Sequence, residues 1–230
     1  MKLYELAAQE DDRCFSPYCW RTKMALAHKS LFYETIPWRF TDKEKIAFSG
    51  QERVPVLVDG EKTISDSWAI AQYLESAHPD RPSLFGGTEA FALTHFVNAW
   101  TDRVLHAAIT PLIVTDIFAH IHEKDRSYFR QSREQRLGKS LEDMAVGRDR
   151  RVLDLRTRAL EPFRAILRER AYLSGERPMY ADYIVFGAFQ WARCVSPFRL
   201  LEDGDPVAAW RDRMLRLYEG IGLRAKGYTV

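Results

Sequence analysis

Cys14-Phe15-Ser16-Pro17-Tyr18-Cys19-Trp20-Arg21 follows a short strand and opens an amphipathic helix. It reads as a Cys-Pro-Tyr-Cys dithiol motif in which serine has replaced the first cysteine. The position before the proline is where such a fold presents its reactive side chain. A thiol there attacks and forms a mixed disulfide. A hydroxyl forms none, but it donates a hydrogen bond to a thiolate carried by another molecule. The motif therefore points to activation of a borrowed thiol. Ser16 also has a plainer reading, as the N-cap of a helix begun by Pro17, whose missing N–H would be unpaired at that position anyway.

Two features of its surroundings favour the chemical reading. Ser16 lies at the C-terminal end of the first strand, the edge where open α/β sheets bind ligands. It also sits at a helix N-terminus, where unpaired N–H groups and the macrodipole favour an anion. A free thiol has a pKa near about 8.5, and stabilising its thiolate by about 2–3 kcal/mol lowers that by roughly two units.

Outward from the motif, Lys2-Leu3-Tyr4-Glu5-Leu6 alternates as a short strand. Trp20, Met24 and Ala27 recur at helical spacing up to His28-Lys29. Phe32–Ile36 reads as a second strand, and strand-helix-strand at this length predicts a parallel crossover. In Val54–Ile64, Asp59-Gly60 between two β-branched runs is a hairpin signal. Asp66 or Ser65 can cap the next helix, whose Ile70, Tyr73, Leu74 and Ala77 share one face. The order βαβ then ββα predicts a small mixed sheet. Residues 78–88 hold Pro79, Pro82, Gly86 and Gly87 and suit a linker. Beyond residue 89 strand alternation disappears, and helices are expected over roughly 88–122, 126–172 (one or two), 179–195 and 205–218. The reading divides the chain into an α/β domain (1–80), a linker (81–88) and an all-helical domain (89–230).

With 230 residues, 46% hydrophobic and 29% charged, the chain has the composition of a packed globular protein. A formal charge of +2, with acids and bases interspersed, gives no support to nucleic-acid or membrane binding. The arginines of 123–170 are diluted by Glu134, Glu142, Asp143, Asp149, Asp154 and Glu161, as on solvated helices. Glu5, Glu10, Asp11 and Asp12 interrupt any signal-peptide pattern, and no run of about 18 apolar residues offers a membrane span. Three irregularly spaced cysteines argue against a disulfide framework and for a reducing cytoplasm. No His/Cys quartet has zinc spacing, so no metal is expected.

Two further motifs share the sheet edge with Ser16. Val54-Pro55 is either a proline starting an edge strand or a cis peptide that lets a peptide-like ligand pair with the Val54 backbone. The sequence leaves the isomer open. Asp66-Ser67 either caps a helix or binds an amino-acid end that carries both charges.

Together, Ser-Pro-Tyr-Cys-Trp-Arg, Arg53-Val54-Pro55-Val56 and Ser65-Asp66-Ser67-Trp68-Ala69-Ile70-Ala71-Gln72-Tyr73-Leu74 resemble the glutathione-binding thioredoxin-like domain of cytosolic glutathione transferases. The helical remainder is similar to that family's C-terminal domain. Trp20-Arg21-Thr22-Lys23 and Asp182–Ala188 resemble the bacterial β-etherase-like branch and its fungal relatives. The resemblance implies a thioredoxin-like domain followed by an all-helical domain, with glutathione as co-substrate. Ser16 would hydrogen-bond the glutathione sulfur, with Phe15 beside it. Val54 would pair with the cysteinyl part, Pro55 would be cis, and Asp66 and Ser67 would hold the γ-glutamyl end. Lys43 and Gln51 are both candidates for the glycyl carboxylate. Met179 departs from the family pattern, which often has a Ser or Thr capping residue three positions before Asp182. The same resemblance implies a two-fold homodimer.

The second substrate, a small apolar or aromatic electrophile, is expected beside Ser16, against the loop Gln9–Phe15 and Trp100, Arg103 and His106. Trp100 also suits core packing, and His106 is either a general acid or a structural histidine. Cys14 and Cys19 are expected to be buried and inert. The leading reading is a glutathione transferase, in the etherase-like variant one that cleaves an aryl ether. The alternatives are a non-catalytic ligand carrier and a glutathione-dependent thiol oxidoreductase, the latter disfavoured because Ser16 forms no mixed disulfide.

Overall fold

The computed structural model describes residues 1–229. Strand β1 (Lys2–Leu6) runs parallel to β2 (Glu34–Trp38) and antiparallel to β3 (Val56–Asp59), and β4 (Lys62–Ser65) forms a hairpin with β3. The sheet order is β2-β1-β3-β4, with Leu3 opposite Thr35 on one side and Leu57 on the other. Helix α1 (Pro17–His28) makes the parallel crossover and α2 (Ser67–Ala77) follows the hairpin. The mixed sheet read from the sequence is the one formed. Only the second strand is displaced, starting at Glu34 rather than Phe32, which is left 95% exposed.

Glu5 shares a strand face with Leu3 and is fully buried, so its charge needs a partner. Lys23 of α1 supplies it at 2.9 Å. That pair sets how α1 lies on the sheet. Trp20, also fully buried, donates its indole N–H to the Cys14 carbonyl at 2.9 Å and fixes the loop ahead of the helix.

The rest of the described chain is helical. It comprises α3 (Thr88–Trp100), α4 (His106–His120), α5 (Arg126–Leu137), α6 (Leu141–Ala145), α7 (Arg148–Asp154), α8 (Glu161–Leu167), α9 (Tyr180–Val195) and α10 (Pro206–Arg224). The expected α/β segment followed by an all-helical segment is the architecture found. The helices depart from the sequence reading in detail. A wide π-helical turn at Thr101–Leu105 separates α3 from α4. The stretch 126–172 breaks into short helices because Gly138 (φ 68°) and Gly147 (φ 73°) take the left-handed conformation that glycine adopts without strain. Helix α10 reaches Arg224 but is interrupted at Leu217–Gly220, where Tyr218 and Glu219 also have positive φ. There the Tyr218 hydroxyl meets His28 Nδ1 at 3.1 Å and the Tyr183 hydroxyl, tying the break to the end of α1.

Helix α9 is central. Every residue from Tyr180 to Gln190 is buried, as in a helix surrounded by others. Its start is built without a hydroxyl cap. The Asp182 carboxylate instead accepts from the N–H groups of Leu173 (2.8 Å), Ser174 (3.2 Å) and Met179 (3.2 Å), and from the Trp210 indole (2.9 Å). These bonds satisfy a buried carboxylate whose pKa burial nevertheless raises.

Against α9 lies α1, at a point where only glycine fits. A Cβ placed on Gly187 would sit 2.4 Å from the Pro17 carbonyl oxygen, a backbone atom that no rotamer change can move. Gly187→Ala should therefore push the two helices apart and cost about 1–3 kcal/mol. Urea denaturation of the variant reads this as a lowered midpoint, and an unchanged midpoint would contradict the close approach.

Candidate functional site

Ser16 has extended backbone angles (φ −74°, ψ 127°), and its Oγ accepts from the Cys19 N–H at 3.2 Å. The plain capping role is thus real, but it uses only the acceptor side of the hydroxyl. By geometry the Ser16 O–H has no hydrogen-bond acceptor among the described residues, although the buried Cys19 thiol lies close enough for the hydroxyl to offset part of the rise in its pKa. At the same helix start, Pro17 has no N–H, Cys19 is capped by Ser16, and the Tyr18 N–H has no partner. One hydroxyl proton and one backbone N–H are therefore unspent at the positive end of α1, and an anionic sulfur suits both. Ser16 itself is only 4% exposed, so a ligand has to bring its atom close to be activated.

The Val54-Pro55 peptide is cis, the state the family resemblance implied. Neither the N–H nor the C=O of Val54 has a backbone partner among the described residues, which leaves both open to an extended peptide ligand. Asp66 precedes α2 with φ 76°, a conformation uncommon for a residue with a side chain. Its Oδ1 accepts from the N–H groups of Trp68 (2.8 Å) and Ala69 (3.1 Å). Ser67 is buried, and its carbonyl takes the Tyr180 hydroxyl of α9 at 2.7 Å. Both the helical segment and the sheet thus hold the start of α2. Ser16, Val54 and Asp66-Ser67 all stand on the edge defined by the ends of β1 and β3.

Of the two candidates for a terminal carboxylate, Lys43 is the better fixed. Its Nζ donates to the Glu52 carbonyl at 2.7 Å and lies over the rings of Trp38 (5.3 Å) and Tyr128 (5.5 Å). Gln51 is exposed, and its backbone N–H binds the Ser49 hydroxyl. Phe15 is buried and meets Phe40 edge-on, with ring centres 6.2 Å apart, so it forms the floor beside Ser16.

The three residues expected around the second substrate are placed very differently. Trp100 packs edge-on against Phe163 at 5.0 Å, inside the helical segment. Arg103 is exposed on the π-helical turn, without an acidic partner. His106 comes closest to the motif. Its Nδ1 is 3.5 Å from the Tyr18 hydroxyl and 3.6 Å from Asp102, and its ring meets Trp191 edge-on. Burial, with the Arg21 charge added, pushes its pKa down to about 3. It is therefore neutral near pH 7 and does not serve there as the general acid that its residue type allowed.

Sequence reasoning missed Tyr18 and Arg21 as site builders. Arg21 is fully buried and bonds Asn98 (2.8 Å) and Asp102 (2.7 Å), while its guanidinium stacks 4.7 Å from the centre of the Tyr18 ring. An arginine one turn after the motif was the available signal, but its partners lie some eighty positions away. The thiols behave as expected. Cys14, Cys19 and Cys194 are buried and unpaired, and burial raises all three pKa values, with Cys19 and Cys194 pushed up to about 12. Among the described residues no group of three His, Cys, Asp or Glu could hold a metal ion, and no helix is long and apolar enough to cross a membrane.

Comparison with known proteins adds to this geometry. Residues 92–217 match the family model described as "Glutathione S-transferase, C-terminal domain", and residues 12–82 match "Glutathione S-transferase, N-terminal domain". A zeta-class glutathione S-transferase of Euphorbia esula is 33% identical over 109 residues, which is 45% of this chain and 47% of that protein. The match thus spans about half the length of that relative. Glutathione S-transferase 4 of Zea mays is 26% identical over 203 residues, covering 85% of this chain and 82% of that one. Among solved structures, a glutathione S-transferase of Ceriporiopsis subvermispora in complex with glutathione superposes with a TM-score of 0.81 at 25% identity, covering 95% of this chain and 96% of that one.

The pKa of His106 has a consequence for stability. The unfolded histidine titrates near 6.5 and the folded one near 3. Between those values the unfolded state binds the extra proton. The contribution to stability is therefore complete above about pH 6.5 and drains away as pH falls. Denaturation midpoints at about pH 7 and about pH 4.5 should show a smaller acid-induced loss in His106→Gln than in the parent chain. An equal loss in both would remove His106 from the acid response.

Proposed function

The chain belongs to the glutathione S-transferase family, and we propose that it uses Ser16 to activate the glutathione thiolate for attack on an electrophilic carbon. The observation that carries this reading is the pair of unspent donors at the start of α1, the Ser16 hydroxyl and the Tyr18 N–H, beside an unpaired Val54 backbone. Glutathione fits these residues piece by piece. Its cysteinyl amide and carbonyl match the Val54 backbone, its γ-glutamyl end suits Asp66, Ser67 and the start of α2, and its glycyl carboxylate suits Lys43. The chemistry it supplies is a nucleophilic sulfur.

The residues of this chain do the rest. Ser16 donates its proton to the sulfur without giving it up, because a serine hydroxyl holds its proton far more tightly than a thiol does. The Tyr18 N–H and the α1 dipole add to that stabilisation, so sulfur ionises nearer neutrality. Holding both reactants at one sheet edge supplies the proximity contribution. A carbon–sulfur bond forms, and the leaving group departs with the electron pair of its bond to carbon. If that group is an aryloxide, the result is ether cleavage. The helix start at Trp20-Arg21-Thr22-Lys23 and the likeness to a fungal transferase support the β-etherase-like branch as the finer reading.

The buried, protonated thiols weigh against a thiol oxidoreductase. Cys14 lies near the motif but is kept in its unreactive form. The ligand-carrier reading differs from the transferase reading only in turnover, which is where the test lies.

Ser16→Ala should lower kcat on 1-chloro-2,4-dinitrobenzene by about 10- to 100-fold and shift the kinetic pKa of bound glutathione upward by roughly one to two units. Its KM for glutathione should change far less. A Ser16→Ala enzyme with the parent rate and parent kinetic pKa would refute the role of the hydroxyl. Ser16→Cys should gain disulfide exchange at the expense of conjugation, as measured with a mixed disulfide of glutathione. Glutathione-linked products from a panel of aryl ethers, quinones and halogenated aromatics would place the chain among the enzymes rather than the carriers.

A further inference from the structure

Helix α5 carries an arginine in a costly position. The Arg133 guanidinium lies 4.8 Å from the centre of the Phe40 ring and 4.4 Å from that of Phe129. Among the described residues the only hydrogen bond of this guanidinium goes to the hydroxyl of the neighbouring Ser132, at 2.9 Å. No carboxylate among the described residues pairs with it, although its helix neighbour Arg130 has two acidic partners, Glu134 and Glu142. Burial pushes its pKa down to about 10, and the charges of Arg136 and Arg53 act in the same direction. Arg136 stands one turn further along α5, exposed and also without an acidic partner among the described residues. Arg133 and Arg136, three residues apart, share one face of α5, and neither has an ion pair among the described residues.

Their place in the fold connects them to the reaction. Phe40 joins Arg133 to Phe15, the residue before Ser16. The sheet side of the site already has Lys43 to meet the glycyl carboxylate of glutathione. The α5 arginines come from the helical segment instead. Guanidinium groups over aromatic rings are preorganised for a planar, charged partner. A cation without a counter-ion in partly desolvated surroundings gains most when a ligand brings the missing charge.

We propose that the second substrate is an aromatic electrophile bearing a negative group, a carboxylate or its equivalent, held by Arg133 and Arg136 of α5. The inference rests on the transferase reading and names the substrate class for it. Aryl acids with a displaceable substituent fit, and their neutral counterparts lack the group that the arginines receive.

Two matched pairs of probes test this. The first pair reacts: 4-chloro-3,5-dinitrobenzoate against 1-chloro-2,4-dinitrobenzene. Sulfur bonds to the ring carbon, and chloride leaves with its electron pair in both. The second pair is inert: 3,5-dinitrobenzoate against 1,3-dinitrobenzene, followed by calorimetric binding. The intact protein should bind the inert anion more tightly than its neutral partner. Arg136→Gln, an exposed position whose loss leaves the fold alone, should reduce that preference by roughly tenfold, as expected for one charge-assisted contact. Arg133→Gln should do the same, and Arg133→Lys should restore much of it. The ratio of kcat/KM values for the reactive pair should move in parallel. If neither reactive probe is consumed but the inert anion still binds through the arginines, the transferase reading falls and the anion site stands. If anion and neutral probe bind alike in the parent, the proposal is overturned. A rise in KM for glutathione but not for its glycine ethyl ester, with acceptor preference intact, also overturns it, because the arginines would then serve glutathione.

Discussion

The Pro17 carbonyl oxygen, in the first turn of α1, rests against Gly187 in the middle of α9 with no room for a side chain between them. On one side of this contact is the sheet, to which α1 is bound through the Glu5–Lys23 pair and the buried Trp20. On the other is the helical core, organised around a helix with no exposed face along its first three turns. The residue preceding this contact is Ser16. The hydroxyl therefore belongs to a rigid junction rather than to a loop, and its direction is set by backbone packing on both sides. Arg21, held by Asn98 and Asp102 one turn later, locks the same helix against α3 and the turn that follows it.

A second set of polar contacts closes the opposite flank. The Asp125 carboxylate accepts from the backbone N–H groups of Phe40 and Thr41, both at 3.0 Å, and from the Thr41 hydroxyl at 2.6 Å. The loop after β2 carries Phe40 and leads to Lys43, so a residue of the helical half positions an aromatic wall and a cation of the sheet half. Preorganisation of this kind lowers the entropy lost on binding. In this chain it comes from carboxylates facing backbone donors, which hold geometry more strictly than exposed ion pairs.

The parts of the molecule legible in the sequence are those governed by neighbours in the chain. Asp59-Gly60 fixed the hairpin by turn chemistry, Ser16-Pro17 marked the helix start, and alternation in Lys2–Leu6 marked the central strand. The mixed parallel and antiparallel character of the sheet followed from these, while its strand order came from the structure. Less legible were features set by distant partners. Nothing local says that Arg21 finds Asn98 and Asp102, or that Arg133 lies over Phe40. The subdivision of 126–172 was visible only as Gly138 and Gly147, whose left-handed angles end helices that a run of helix-forming residues would otherwise continue. The pattern around His106 named a histidine on a helix facing the sheet half, and burial then decided its charge. Chemistry inferred from residue type was in this case overruled by dielectric environment.

The three buried thiols have an implication of their own. A protein that sharpens one sulfur against electrophiles works among molecules able to alkylate any sulfur they meet. Each native cysteine is held inside the fold and kept protonated, Cys14 with 5% of its surface exposed and the other two with none. Under the proposed function, the scaffold thereby immunises itself against the reactivity it would host. The serine that replaced the motif's first cysteine completes that arrangement, since the one side chain at the reactive position has no sulfur to lose.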